Sequence, residues 1–269
     1  MPLRLALLLL VAVLETAPAL AQTRGVGLAL PGTVTRLSFA AYAAGLHVAQ
    51  FDATADFADR AYRIDTHMRA TGLLGTLFPT EFTSFAEGGW LSGRAAPRRY
   101  ASWGNSRGKF RRTIVDYPSG QPTLTELIPA DHDDRETIPA GSERDSVDTL
   151  SALAFLVRRV AESGGCDGAA RLYDGYRVME ITSRTAGREI LPPDDRSIFA
   201  GPALRCDLEG RQLAGFLKDD SQTDRTRHNL GQTWLATTTP GHPALPVKVT
   251  FETRFFGNIT AYLTAAGAR

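Results

Sequence analysis

Apolar and polar residues alternate with a period of two from Val34 onward. Leu37, Phe39 and Ala41 share one face before Ala44-Gly45, and Ala49, Phe51, Ala53, Ala55 and Phe57, with His47, share one after it. Successive side chains of a strand point to opposite faces, so the pattern predicts two half-buried strands joined by a hairpin turn. Further strands are predicted over 61–70, 81–87, 90–104, 109–117 and 123–127, with turns at Gly88-Gly89, Asn105-Ser106 and Pro118-Ser119-Gly120. Between the first two of these lies 71–79, apolar but too short to span a membrane and too rich in glycine for a helix; it is expected as a packed loop or an apolar lip.

The period then changes. After a polar surface crossing over 131–146, the residues Leu150, Leu153, Ala154, Leu156, Val157 and Val160 recur at helical spacing. One internal helix over about 148–163 is predicted, with Asp148 or Ser146 as N-cap, Arg158 and Arg159 toward the negative end of its dipole, and Gly164-Gly165 as the stop. Strand patterns resume over 170–184, 197–217, 233–239, 246–255 and 258–264, with a proline-stiffened connector at 191–195. Many strands and one amphipathic helix predict a mainly β fold: a strongly curved antiparallel sheet, as an open barrel or β-spiral, wrapped around the helix. The lack of repeated βα units excludes a doubly wound sheet.

Composition adds an address. Arg4, the apolar run Leu5 to Leu14 and Ala19-Leu20-Ala21 form the three parts of a secretory signal peptide, so residues 1–21 are expected to be removed and the mature chain to start near Gln22. Glu15 and Pro18 interrupt the run before it reaches a membrane span. Residues 22–269 are expected to form a single curved antiparallel β-domain in the periplasm, with no transmembrane segment. Thirty basic against 29 acidic residues give no bulk attraction to nucleic acid or to an anionic surface. Cys166 and Cys206 are the only cysteines, and an even count in an exported chain predicts a disulfide between them. Two free thiols or a redox pair are the alternatives, although the separation excludes a C-x-x-C motif. Closing that loop would stabilise the fold by roughly 3–4 kcal/mol.

The order of these features carries a resemblance. Asp148-Thr149-Leu150-Ser151-Ala152-Leu153, then Cys166, then Leu172-Tyr173-Asp174-Gly175-Tyr176-Arg177, then Phe199 through Cys206 resembles the domain of unknown function 3108 family of periplasmic proteins, from about Val34 to Leu263. Tyr176 stands where that pattern usually carries Arg, with Arg177 beside it. The resemblance implies an exported protein with a strongly bent antiparallel sheet around a helix, similar in outline to periplasmic lipoprotein carriers and other β-spiral envelope proteins.

Candidate chemistry is sparse. The chain contains no H-E-x-x-H or P-loop; G-x-S-x-G and S-x-x-K occur once each, overlapping in Gly104-Asn105-Ser106-Arg107-Gly108-Lys109 across the expected Asn105-Ser106 turn, where the strand-to-helix setting of a nucleophile is not predicted. Of the five histidines, only His132 sits among carboxylates, in a run without the glycine turn and ligand spacing of a calcium loop. His47 and His67 read as sheet residues. The basic stretch 94–112, with Tyr100, Trp103 and Phe110 interleaved, is expected as a solvated outer face, with Arg98, Tyr100 and Ser102 on one side and Arg99, Ala101 and Trp103 on the other; 219–227 is expected as a charged loop. Asp174 and Asp207 could act as paired carboxylates only if the fold brought them together, and Asp174-Gly175 reads first as a turn.

The expectation is therefore a non-enzymatic periplasmic envelope protein without catalytic residues, metal or cofactor, whose concave sheet binds an apolar ligand or an envelope protein. Phe51, Phe57, Phe78, Phe82, Phe85 and Trp90 supply the aromatic content for such an interior. The alternative is a structural or assembly role through protein contacts, expected if side chains fill the sheet's interior. A hydrolase with an unfamiliar site would require a clustered Ser/His/Asp set.

Overall fold

A computed structural model describes residues 33–130, 134–253 and 257–268. The expected signal peptide and His132 lie outside the described residues. The first half of the chain is a meander of β1 (Thr33–Ala43), β2 (Leu46–Phe57), β3 (Ala61–Ala70), β4 (Thr80–Leu91), β5 (Arg94–Ser106), β6 (Lys109–Asp116) and β7 (Thr123–Ile128), with a short helix, α1 (Gly72–Leu77), between β3 and β4. Helix α2 (Thr149–Ser163) follows the polar crossing. The second half comprises β8 (Gly168–Tyr173), β9 (Val178–Leu191), β10 (Gly201–Ala214), β11 (His228–Ala236), β12 (Leu245–Thr253) and β13 (Gly257–Ala268), with helix α3 (Gln222–Thr226) before β11.

All 13 strands form one antiparallel sheet in the order β7-β6-β5-β4-β3-β2-β1-β13-β12-β11-β10-β9-β8. The first and last strands in sequence meet where β1 pairs with β13, and the sheet curls without closing, because β7 and β8 stand at its two ends. The expected curved sheet around a helix is what the chain forms.

Three of the hairpins share one turn chemistry. Ala44-Gly45, Ser92-Gly93 and Arg107-Gly108 each place two consecutive residues at positive φ, as a two-residue turn matched to strand twist requires. Two of these turns differ from expectation. Gly88-Gly89 is no turn but lies inside β4, where the pairing with β5 shifts register after Glu87. A Cβ at Gly88 would come within 2.5 Å of the Tyr62 hydroxyl and 2.6 Å of the Ala96 carbonyl oxygen, so this glycine serves a close approach, not a reversal. Asn105-Ser106 likewise belongs to β5, and the turn falls two residues later, at Arg107-Gly108. Two expected loops contain short helices: 71–79 holds α1, and the charged segment 219–227 holds α3, capped by Ser221 and tied down by Arg225 bidentate to Glu136.

Along one cross-strand row of the concave face the chemistry changes. Leu37 pairs with Ala53, Ala53 with Thr66, Thr66 with Ser84, Ser84 with Ser102 and Ser102 with Thr113. The face is apolar over β1 and β2 and carries hydroxyls over β3 to β6. Most of the large core, including Leu37, Phe57, Ile64, Leu204, Leu235 and Leu263, gathers on the apolar side around α2.

Candidate ligand-binding cavity

Helix α2 is positioned at both ends by specific chemistry. At its start the Asp148 carboxylate accepts from the Ser151 amide at 2.8 Å and from the Ser151 hydroxyl at 2.5 Å, satisfying an otherwise orphaned helix N–H. The Tyr62 hydroxyl, from β3, donates to Ser151 Oγ at 2.7 Å. Tyr62, Ser151 and Asp148 are all buried. Burial raises the Asp148 carboxyl to about 6 against the opposing pull of the Ser151 hydrogen bonds. Burial, and then the neighbouring carboxylate, also pushes the Tyr117 hydroxyl up.

At its end Gly164 adopts the left-handed conformation and its amide bonds back to the Val160 carbonyl. Two residues later Cys166 is joined to Cys206 on β10, with the sulfurs 2.10 Å apart. On the flank, Arg158 lies 4.6 Å over the Trp90 ring and pairs with Glu162 one turn on, and Trp90 packs against Tyr62 at 4.8 Å between centroids. The helix is thus fixed to β3, β4 and β10.

Held there, α2 leaves a cavity of about 400 Å³ between its second apolar face and the concave sheet. Leu153, Phe155 and Leu156 form the helical wall, and Phe39, Phe51, Ile181, Leu208, Val249 and Phe251 are among the strand residues facing it. Among the described residues, charged side chains enter the lining only as Asp52, Arg159 and Asp167. Of these, Asp52 accepts from Ser38 and Asp167 from Thr185. Such a wall supplies desolvation and shape, the requirements for holding an apolar molecule.

A second, polar cleft of about 480 Å³ lies across the hydroxyl-bearing part of the sheet, lined by Tyr100, Ser102, Arg111, Thr113, Arg135 and Arg177 among others. Tyr100 and Ser102 therefore face the concave interior and not a solvated outer face as expected; Arg99 and Trp103 take the outer side, where they meet Asp116 and Phe85. Arg177 is bidentate to Asp174, and Arg135 donates to the Gly215 carbonyl at 2.7 Å.

Asp174 and Asp207 do not act as a pair. Asp174 organises the β8–β9 turn by accepting from the Tyr176 and Arg177 amides, while Asp207 is paired with Arg205. His47 bonds the Ala49 carbonyl oxygen, His67 pairs with Glu81, His228 with Glu209 and His242 with Thr35. The buried Ser151–Asp148 pair is completed by Tyr62, not by a histidine, and Ser151 does not line the cavity. Among the described residues no group of three or more His, Cys, Asp or Glu is placed to hold a metal, and no helix is long and apolar enough to cross a membrane.

Sequence periodicity found the packing face of α2 but missed the cavity. The overlooked signal is the width of the apolar arc: Ala152 and Phe155 extend it beyond what one packed face needs. The Tyr62–Ser151 contact joins residues 89 positions apart and has no local signature.

Fold and cavity together define an open, β-barrel-like protein with an internal helix. The chain belongs to the family described as protein of unknown function (DUF3108), whose pattern matches residues 38–264. Its fold is similar to the crystal structure of a beta-barrel-like protein of domain of unknown function DUF1849 from Brucella abortus, with a TM-score of 0.53 and 10% sequence identity over 88% of this chain and 98% of that one. No curated protein matches the chain.

Proposed function

We propose that this is an exported, periplasmic envelope protein that binds an apolar ligand inside its curved sheet and acts by binding, not by catalysis. The observation that carries the reading is the cavity of about 400 Å³, walled by α2 on one side and by Phe39, Phe51, Val249 and Phe251 on the other. A protein acting only as a structural part would gain stability by filling such a space, since an empty apolar volume costs packing energy. Export is supported by the charged, apolar and A-x-A segments at the N-terminus, and the Cys166–Cys206 bridge suits an oxidising compartment.

Native mass spectrometry of protein purified from the periplasm tests the reading. The expected result is a chain beginning near Gln22 with a co-purifying apolar mass that organic extraction removes and a fluorescent fatty acid replaces. A bare protein that takes up no such probe would sink the ligand reading in favour of assembly through protein contacts.

A further inference from the structure

The segment expected as a packed loop or an apolar lip contains α1, and its position gives it a use. Helix α1 turns Leu74 inward onto a small cluster of Ala41, Ala43, Val48 and Ala261, against which Phe39, Phe51 and Val249 also pack; Ala261 and these three residues line the cavity, so α1 sits beside its rim. Its other side faces solvent: Leu73 and Leu77 are 69% and 59% exposed. The neighbouring loops continue this surface. The Thr71 amide bonds the Val48 carbonyl at 2.9 Å, bringing in the β1–β2 turn with Leu46 at 65% exposure. The Arg107 amide bonds the Pro79 carbonyl at 2.9 Å, bringing in the β5–β6 turn, where the Arg107 guanidinium lies 5.2 Å over the ring of exposed Phe78.

Single exposed leucines are ordinary on a protein surface, but a contiguous set has a partner. The charge of the three joined segments says which. Residues 44–47, 71–80 and 105–112 contain no Asp or Glu, while the last contributes Arg107, Lys109, Arg111 and Arg112 in a chain that is otherwise balanced. Arg112 is engaged by Glu126 and Arg111 lies in the polar cleft, leaving Arg107 and Lys109 exposed on the β5–β6 turn beside the leucines. Exposed leucines and phenylalanine flanked by cations, with the neighbouring carboxylate of Glu81 paired to His67, match the two layers of an anionic lipid surface, in which acyl chains lie beneath negative headgroups.

We infer that the lip formed by Leu46, Leu73, Leu77 and Phe78 with Arg107 and Lys109 docks this protein on an anionic membrane surface. The apolar side chains enter the headgroup region and the two cations meet lipid phosphates, with the cavity rim brought against the bilayer. The docking surface does not require the cavity to be occupied.

The test is co-sedimentation of the purified full chain with vesicles of phosphatidylethanolamine and phosphatidylglycerol, compared with vesicles of phosphatidylcholine alone. Binding to the anionic vesicles at low salt is expected, weakening as salt rises. The L73S/L77S variant should lose at least about tenfold in partitioning, and R107Q and K109Q roughly fivefold each. Because these side chains are exposed, circular dichroism and Tm should be unchanged in all the variants. Absence of wild-type binding would overturn the proposal, as would undiminished binding by L73S/L77S or equal binding to phosphatidylcholine. Sedimentation velocity showing a dimer that L73S/L77S dissociates would instead assign the lip to a second copy of the chain and overturn it too.

Discussion

The hydroxyl of Tyr62 stands 2.7 Å from that of Ser151, joining strand β3 to the first turn of α2 across 89 residues of sequence. Through Ser151 the link reaches the Asp148 carboxylate, so one buried chain of hydrogen bonds seats the helix inside the sheet. Removing the tyrosine hydroxyl as Tyr62→Phe should cost about 1 kcal/mol, and Ser151→Ala should cost more, because it also strips a donor from a buried carboxylate. Urea unfolding of the two single variants and the double variant would show coupling between them; strict additivity would mean that the contact contributes nothing as a pair.

The same carboxylate makes stability depend on pH. Asp148 is held at about 6 against an ordinary value of 3.8. Between those values the folded state carries more bound proton than the unfolded state, so this group's contribution is fully present below about 3.8 and is lost as pH rises through about 6. The size is on the order of 2–3 kcal/mol. Unfolding free energy measured from pH 4 to pH 7 should therefore carry a falling component that Asp148→Asn removes; an unchanged pH slope in that variant would show that the carboxylate does not titrate in this window.

The Cys166–Cys206 bridge closes a separation of 40 residues that includes β8, β9 and the start of β10. Replacing both cysteines with alanine should lower stability by roughly 3–4 kcal/mol, with the loss appearing in the denaturant midpoint. A midpoint equal to that of the wild type would place the restraint on the helix end elsewhere, in the Thr185 hydroxyl that receives the Cys166 amide at 2.8 Å.

Filling the cavity should separate binding from folding. Leu153→Trp projects a larger side chain from α2 into the open volume, so uptake of a fluorescent fatty acid should fall by an order of magnitude or more while Tm holds or rises. Unaltered uptake would place the probe's site outside this cavity.

Much of the fold was legible because its rules are local. Strand β3 runs over Ala61–Ala70, as the alternation predicts, and the first hairpin turns at Ala44-Gly45 because that dipeptide can carry two positive φ values. The same reasoning misread Gly88-Gly89, since the need for a bare Cα there comes from Tyr62 on the neighbouring strand. It also missed α1, a six-residue helix with two glycines, whose Leu74 is packed against buried residues of β1, β2 and β13. The cavity was least legible. Leu153, Phe155 and Leu156 read as core-forming residues, and only the arrangement of nine strands around them decides that the space they face is left open.

A sheet that ends on β7 and β8 has no circumference of its own. In a sealed barrel the strand count and stagger dictate the bore. Here the two margins are held by other means: Val147 pairs alongside β8, and the turn at Gly175 rests against Thr113 and Leu124 on the opposite margin. The width available to a guest is therefore governed by the crossing over 134–147 and the β8–β9 turn. Lengthening or shortening either can retune the chamber without altering a residue of its wall.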